Sequence, residues 1–180
     1  MASWSSVARR IRVPLGFVFA ALYMWLAKPT LASIILGLVV AISGLAVRAL
    51  ASGHVQKNEQ LATSGPYAYT RNPLYLGSLI TACGFALASR NWWVVAGIAA
   101  LFFAIYIPVI RSEENFLRGR FPEFESYCAE VPVLFPRLTS FKGAGGTFSW
   151  ELYRKHREYN ALIGAAIIAA ALFAKLLLIK

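Results

Sequence analysis

The residue types that could do chemistry in this sequence are concentrated in two short polar segments, each beside a long apolar run. The first, GPYAYTRNPLYLG, covers residues 65–77 and contains two prolines, three tyrosines and an arginine. The second follows the fourth apolar run and places Glu113 next to Glu114. Ionisable side chains that face the interior of a membrane protein are costly and are functional candidates by default. We therefore take these two segments as the candidate site.

Asn72 and Pro73 predict a fixed helix start within the first segment. Proline disfavours the helical region for the residue before it. Asparagine is a good N-cap, and proline suits the first helical position. The free N–H groups of that first turn would attract an anion such as a carboxylate. The alternative is a capped helix with an aromatic belt of Tyr67, Tyr69 and Tyr75 at the membrane interface.

The two adjacent glutamates have an ordinary and a functional interpretation. Glu114 and Arg118 are spaced i, i+4, which favours a surface ion pair. Adjacent helical residues point in directions about 100° apart, so both carboxylates cannot make that pair. One of them is therefore free to face the RNPLY helix start, where it would hold an ammonium group. Upstream, Pro108 lies inside the fourth apolar run and should kink that helix.

Composition and charge indicate a membrane protein. Of the 180 residues, 58% are hydrophobic and 14% are charged, whereas a soluble domain is about 45–50% apolar. The net charge of +10 comes from basic residues beside apolar runs, which favours anionic lipid head groups over nucleic acid. Cys83 and Cys128 lie far apart, and we predict neither a disulfide framework nor a metal site.

Five apolar runs predict the fold. They cover residues 13–27, 31–50, 74–89, 92–110 and 161–179, and a membrane-spanning helix needs about 20 residues. We expect one all-α, polytopic membrane domain over residues 1–180 with about five transmembrane helices. Tight turns at 27–32 and 89–93 should close two helical hairpins. An interfacial plus transmembrane helix is expected at about 149–179, with Trp150, Tyr153 and Tyr159 at the interface and Lys175 snorkelling outward.

The basic residues also predict an orientation. With the N-terminus in the cytoplasm, fourteen Lys and Arg residues fall inside and four outside, as the positive-inside rule favours. The protein would then be integral to the plasma membrane, or to the inner membrane of a bacterium, with its C-terminus outside. Both long polar stretches, 51–73 and 111–160, would share the cytoplasmic face, so a cofactor pocket is expected there.

The motifs in their order resemble the integral-membrane methyltransferases. GPYAYTRNPLYLG, one helical hairpin, EEN-L and F-EFESYCAEVPVLFP are similar to the pattern of isoprenylcysteine carboxyl methyltransferase and the phospholipid N-methyltransferases. The similarity covers about residues 48–138. It implies S-adenosylmethionine as cofactor, bound in a cytoplasm-facing pocket without a Rossmann domain. It also implies a lipid or a lipid-modified small molecule as the methyl acceptor.

The resemblance assigns roles to individual residues. Asn72 stands where the family usually has His, although animal phospholipid N-methyltransferases carry an N-P-x-Y-x-G form. Arg137 follows Pro136 as at the end of the family pattern. The implied cofactor contacts are Lys57, Leu61, Gly65, Pro66, Tyr67, Asn72, Pro73, Leu74, Tyr75, Glu113 and Glu114. The implied catalytic residues are Arg71, Glu113, Glu114 and Tyr127.

The sequence leaves several functions open. The favoured class is methyl transfer to a phospholipid amine or to an isoprenylcysteine-like carboxylate. Of these two acceptors, Asn72 favours the amine. The alternatives are an NADPH-dependent, sterol-type membrane reductase and a non-catalytic membrane scaffold. The small-residue spacing SGLA at 43–46 resembles a cofactor motif of the phospholipid enzymes, but we interpret it as helix packing.

Overall fold

The chain is described by a computed structural model over residues 4–56, 59–141 and 145–178, and these ranges contain helices and no strand. The α-helices are α1 (Trp4–Leu26), α2 (Leu31–Ser52), α3 (Pro73–Ser89), α4 (Trp92–Leu101), α5 (Ile107–Arg120), α6 (Phe124–Glu130), α7 (Trp150–Lys155) and α8 (Tyr159–Leu178). A 3-10 turn covers Gly65–Ala68, and a π-helical stretch, Phe102–Tyr106, joins α4 to α5. The all-α prediction is confirmed.

Three of the described helices are long and apolar enough to cross a membrane. They are α2, the continuous helix Trp92–Arg120 and α8, each with a mean hydropathy of 2.4 in its most apolar window. The remaining two apolar runs form the shorter helices Pro14–Leu26 and Pro73–Ser89. An integral membrane protein follows from these helices. The count of five spans stays a prediction, because the two shorter apolar helices fall below about 20 residues.

The α2–α3 pair is the most extensive helix contact, and glycines allow it. A Cβ atom on Gly44 would lie 2.5 Å from the Gly77 carbonyl oxygen. A Cβ atom on Gly37 would lie 2.4 Å from the Gly84 carbonyl oxygen. Such close backbone approach is typical of small residues at membrane helix interfaces. The packing interpretation of residues 43–46 is therefore confirmed, and the contact brings Arg48 of α2 beside the first turns of α3.

Both tight turns lie at the same end of the bundle. The Lys28 N–H donates to the Ser89 carbonyl at 2.9 Å, and Asn91 Nδ2 donates to the Leu26 carbonyl at 2.9 Å. Lys175, predicted to snorkel outward, lies at this end too, where its ammonium group donates to carbonyls in the last turn of α1. These contacts fix the end of the bundle opposite the polar stretches.

The effect expected at Pro108 takes the form of a π-helical stretch. Phe102–Tyr106 directly precedes α5, whose second residue is Pro108. Proline lacks the N–H for the usual intrahelical bond, and its ring crowds the preceding turn. One wider turn accommodates both effects, so the helix Trp92–Arg120 continues through the proline.

The sequence predicted one helix that begins within SWELYRKHREYN, whereas the structure has two helices in this C-terminal segment. α7 ends at Lys155 and α8 begins at Tyr159. Between them Arg157 has φ of 52°, a left-handed conformation that cannot continue a right-handed helix. The result is a short helix followed by a separate apolar helix, and the break places Glu158 where it faces α2. The interfacial position of α7 stays a prediction.

Candidate functional site

A cavity of about 570 Å³ opens where the first polar segment meets α5 and α6. Its volume lies within the range of about 300–1,000 Å³ that is usual for small-molecule sites. Nine of the predicted site residues line it: Leu61, Tyr67, Arg71, Asn72, Leu74, Tyr75, Glu113, Glu114 and Tyr127. The fold therefore brings most of the predicted site residues together here, and their roles in binding or catalysis stay predictions.

Three predicted contact residues shape this region without lining the cavity, and a fourth cannot be placed. Gly65 has φ of 57°, and a Cβ atom there would lie 2.7 Å from the His54 ring. Pro66 follows it in the 3-10 turn that buries Tyr67, and Pro73 is the buried first residue of α3. Lys57 lies outside the described residues.

Arg71 lies at the edge of the cavity, where its backbone is hydrogen-bonded to the second polar stretch. Its backbone N–H donates to the Pro132 carbonyl at 2.9 Å, and its side chain is 12% exposed. Arg71 Nε lies 3.2 Å from Glu114 Oε1. The N–H is poorly aligned with that oxygen, so Nε is buried and has no hydrogen-bond acceptor among the residues that the structure describes. A buried donor without an acceptor is costly, and a bound anionic group would satisfy it.

Asn72 occupies the predicted N-cap position, but its side chain does not cap α3. Its Nδ2 donates instead to Glu114 Oε1 at 3.2 Å and to the Val133 carbonyl at 2.9 Å. Both acceptors come from the second polar stretch. The buried amide therefore joins the two polar segments and fixes one oxygen of Glu114.

Glu114 is the inward-facing member of the glutamate pair. The surface pair between Glu114 and Arg118 is not present, because Arg118 pairs with Glu125 on α6. Glu113 is more exposed, and its Oε1 accepts from the Tyr75 hydroxyl at 2.8 Å. Both carboxylates thus reach the RNPLY helix start, from two different sides of α5.

Tyr127 connects α6 to the 3-10 turn. Its hydroxyl donates to the Tyr67 carbonyl at 2.7 Å, and both rings are buried. Burial raises the pKa of the Tyr127 phenol and that of the Tyr67 phenol. Because a raised phenol pKa keeps the proton on the ring oxygen at neutral pH, Tyr127 acts here as a hydrogen-bond donor and is poorly suited to accept a proton.

Sequence reasoning missed an ion pair that also lines the cavity. Arg48 Nε donates to Glu158 Oε1 at 2.6 Å, and Arg48 Nη1 donates to the Leu74 carbonyl at 3.2 Å and also to Ser78 Oγ. Arg48 and Glu158 both line the cavity. A lone arginine near the end of an apolar helix was the available signal. Its partner Glu158 lies 110 residues further along the chain, and no sequence signal pointed to it.

The charges around the cavity favour a ligand with a net positive charge. Its described lining contains the carboxylates of Glu113, Glu114 and Glu158 and the guanidinium groups of Arg48 and Arg71. Carboxylates are thus in excess by one, because the lining has three of them and two cations. Within the described residues, no group of three or more His, Cys, Asp or Glu is placed to hold a metal ion.

The fold defines a polytopic membrane protein with a polar cavity at one end of its helices. The sequence model of the phospholipid methyltransferase family matches residues 27–123, which is more than half of the chain. The chain belongs to this family, as its motifs predicted, and the membership indicates a membrane methyltransferase.

Two curated bacterial relatives are similar to parts of the chain. A "Cobalt-zinc-cadmium resistance protein CzcN" from Cupriavidus metallidurans is 41% identical over 88 residues, which cover 49% of this chain and 41% of that protein. A "Nickel-cobalt-cadmium resistance protein NccN" from Alcaligenes xylosoxydans xylosoxydans is 35% identical over 119 residues, or 66% of this chain and 55% of that protein. The matched part is thus about half the length of these relatives. No solved structure matches.

Proposed function

We propose that the protein transfers a methyl group from S-adenosylmethionine to a lipophilic acceptor at the cytoplasmic membrane interface, and that the acceptor is a phospholipid amine. The observation that carries the proposal is the buried, unaligned Nε of Arg71. It stands beside Glu114 in a cavity of suitable size, in a chain of the phospholipid methyltransferase family.

The residues at the α3 N-terminus fit the amino-acid part of this cofactor. Its carboxylate would satisfy Arg71 Nε, aided by the positive end of the α3 dipole. Glu114, already oriented by Asn72, would receive its ammonium group. When bound, the cofactor supplies an electrophilic methyl group on a positively charged sulfur. The excess of carboxylates in the described lining favours that charge.

The chain's own task is then alignment, exclusion of water and removal of one proton. An ammonium group has no lone pair, so it must lose a proton before its nitrogen can bond to the methyl carbon as the carbon–sulfur bond breaks. Glu113 is the carboxylate that the cofactor does not need in this scheme, and it lies at the more exposed side of the cavity. We assign it as the proton acceptor, and we assign Tyr127 to holding the 3-10 turn.

The charge balance of the cavity favours this function over a reductase. A nicotinamide dinucleotide phosphate carries several phosphate charges, which proteins bind with clustered basic side chains and helix N-termini. The described cavity lining offers two guanidinium groups against three carboxylates. Two anionic phosphate groups or more would therefore face net repulsion in this cavity.

The decisive experiment is calorimetric titration of the detergent-solubilised protein with S-adenosylhomocysteine and, separately, with NADPH. Radiolabelled methyl transfer onto phosphatidylethanolamine and onto a prenylcysteine analogue follows. We expect S-adenosylhomocysteine to bind and the label to appear on phosphatidylethanolamine. Binding of NADPH alone would replace this proposal with the reductase, and binding of neither compound would favour the scaffold. Label on the prenylcysteine alone would restore the carboxyl methyltransferase.

A further inference from the structure

A second, apolar groove of about 340 Å³ lies between α1, α2, α3 and α8. Aromatic and aliphatic side chains form most of its surface, among them Phe19, Tyr23, Leu45, Phe85 and Ile168. Glycines leave it open: a Cβ atom on Gly16 or Gly164 would meet nothing within 4 Å. Because the surrounding helices include the candidate membrane spans α2 and α8, the groove has the surface and the position to accept a hydrocarbon chain.

The groove and the polar cavity share a wall. Arg48 and Ser78 line both of them. The Arg48–Glu158 ion pair therefore stands at the junction between an apolar groove and a polar cavity. Any molecule that occupies both spaces at once must pass this pair.

Neither member of the pair is fully exposed. The Arg48 and Glu158 side chains are 23% and 11% exposed, so the pair loses much of its hydration in the folded protein. A partly buried ion pair often gains little net stability, because desolvation offsets the attraction. Replacing it with two new charge pairs of the same signs would therefore be energetically nearly neutral. A ligand that carries one anionic and one cationic group can make that replacement.

We propose that Arg48 and Glu158 bind the head group of a zwitterionic amine phospholipid, while the apolar groove binds one of its hydrocarbon chains. Arg48 receives the phosphate, and Glu158 accepts from one N–H of the ammonium group, which leaves another N–H for Glu113, the assigned proton acceptor. This assignment rests on the proposed function, because it places the amine at the cavity in which the methyl donor would bind. It adds the two residues that bind the head group of the acceptor, and both lie outside the motif segments.

The first test locates the hydrocarbon chain without measuring activity. The full-length protein in phosphatidylcholine nanodiscs is loaded with a phosphatidylethanolamine that carries a photoreactive diazirine in its acyl chain, and cross-linked peptides are mapped by mass spectrometry. We expect cross-links within residues 161–168 of α8. Gly164→Leu should remove most of them by filling the groove. Gly119→Leu is the matched control, because Gly119 is also unobstructed but lies outside the groove lining.

The second test separates head-group binding from a structural tie between α2 and α8. The same cross-linking is run with phosphatidylethanolamine and with phosphatidylglycerol, which has the phosphate but no amine. Glu158→Gln should reduce labelling by phosphatidylethanolamine to the level of phosphatidylglycerol. Arg48→Gln should reduce labelling by both lipids. Arg137→Gln and Glu130→Gln are the controls, because each breaks an ion pair that lies outside both the cavity and the groove.

The outcomes are distinguishable from those of the proposed function. S-adenosylhomocysteine titration of Gly164→Leu, whose residue lines the groove but not the cavity, should give an affinity close to the wild-type value. If wild-type protein binds no S-adenosylhomocysteine, the proposed function fails, and the lipid pattern still decides the head-group assignment. Cross-links confined to other segments would overturn this inference. So would equal losses of both lipids in Glu158→Gln and Arg48→Gln, because a structural tie alone would produce them.

Discussion

Asn72 donates its side-chain amide to Glu114 Oε1 across a distance of 3.2 Å. The same oxygen lies 3.2 Å from Arg71 Nε. One carboxylate oxygen of α5 is therefore held by two consecutive residues at the start of α3. This arrangement orients Glu114 into the cavity. Glu113 instead accepts a hydrogen bond from the Tyr75 hydroxyl at the more exposed side.

The two glutamates should consequently differ in cofactor binding. Losing a charge-assisted contact costs about 1.5–3 kcal/mol, so Glu114→Gln should weaken S-adenosylhomocysteine binding by about tenfold or more. Glu113→Gln should have a smaller effect. Calorimetry in detergent measures both, with Glu125→Gln on α6 as a control outside the cavity lining. Wild-type affinity in both cavity variants would contradict the assignment of the pocket.

Asn72 stands where the family usually has His, and its two hydrogen bonds should support the binding of S-adenosylhomocysteine. Asn72→Leu keeps a similar volume but leaves the Glu114 oxygen and the Val133 carbonyl without this donor. The cost of unsatisfied buried groups is about 1–3 kcal/mol, so the affinity for S-adenosylhomocysteine should fall about tenfold.

Asn72→His is the informative companion variant. A neutral imidazole carries one N–H and can keep one of the two bonds, so its loss of affinity should be intermediate. If the Leu and His variants bind equally, hydrogen bonding by residue 72 does not support the site. Both titrations are done in the same detergent and at the same pH, because the imidazole changes its charge near neutral pH.

The sequence predicted the elements that have a local signal. Asn72 and Pro73 located the start of α3 because the proline restriction acts on adjacent residues. The inward face of one glutamate followed from helical geometry alone. The Arg48–Glu158 pair could not be predicted, because it depends on two helices that meet only after folding. The break at Arg157 was also missed, since a left-handed arginine has no sequence signature comparable to glycine.

The glycine contact between α2 and α3 should be sensitive to a single methyl group. Gly44→Ala would place a Cβ atom 2.5 Å from backbone atoms of α3, and overpacking typically costs about 1–3 kcal/mol. Thermal unfolding in detergent, followed by near-ultraviolet circular dichroism, should show a lower midpoint. Gly119→Ala meets nothing within 4 Å and should leave the midpoint unchanged or raise it. An unchanged midpoint for Gly44→Ala would argue against the close helix contact.

The orientation of the protein can be tested at two exposed positions. Ser140 lies in the loop after α6, which contacts the first polar segment, and Lys28 lies in the turn between α1 and α2 at the other end. In a background without Cys83 and Cys128, Ser140→Cys should react with an impermeant maleimide only from the cytoplasmic side. Lys28→Cys should react only from the opposite side. The reverse pattern would place the cavity outside the cell.

The pH dependence of methyl transfer should identify the acceptor. An amine acceptor is protonated near neutral pH, so the rate should rise with pH until the amine, or the group that takes its proton, has been titrated. A carboxylate acceptor is already ionised and would give a nearly flat profile. Assistance by a general base is worth about 10²–10⁴-fold, so Glu113→Gln should lower kcat for phosphatidylethanolamine far more than it lowers S-adenosylhomocysteine binding. The measurement is radiolabelled transfer to phosphatidylethanolamine and to a prenylcysteine analogue over the same pH range. A flat profile with label on the prenylcysteine alone would reject the amine acceptor and, with it, the role given to Glu113.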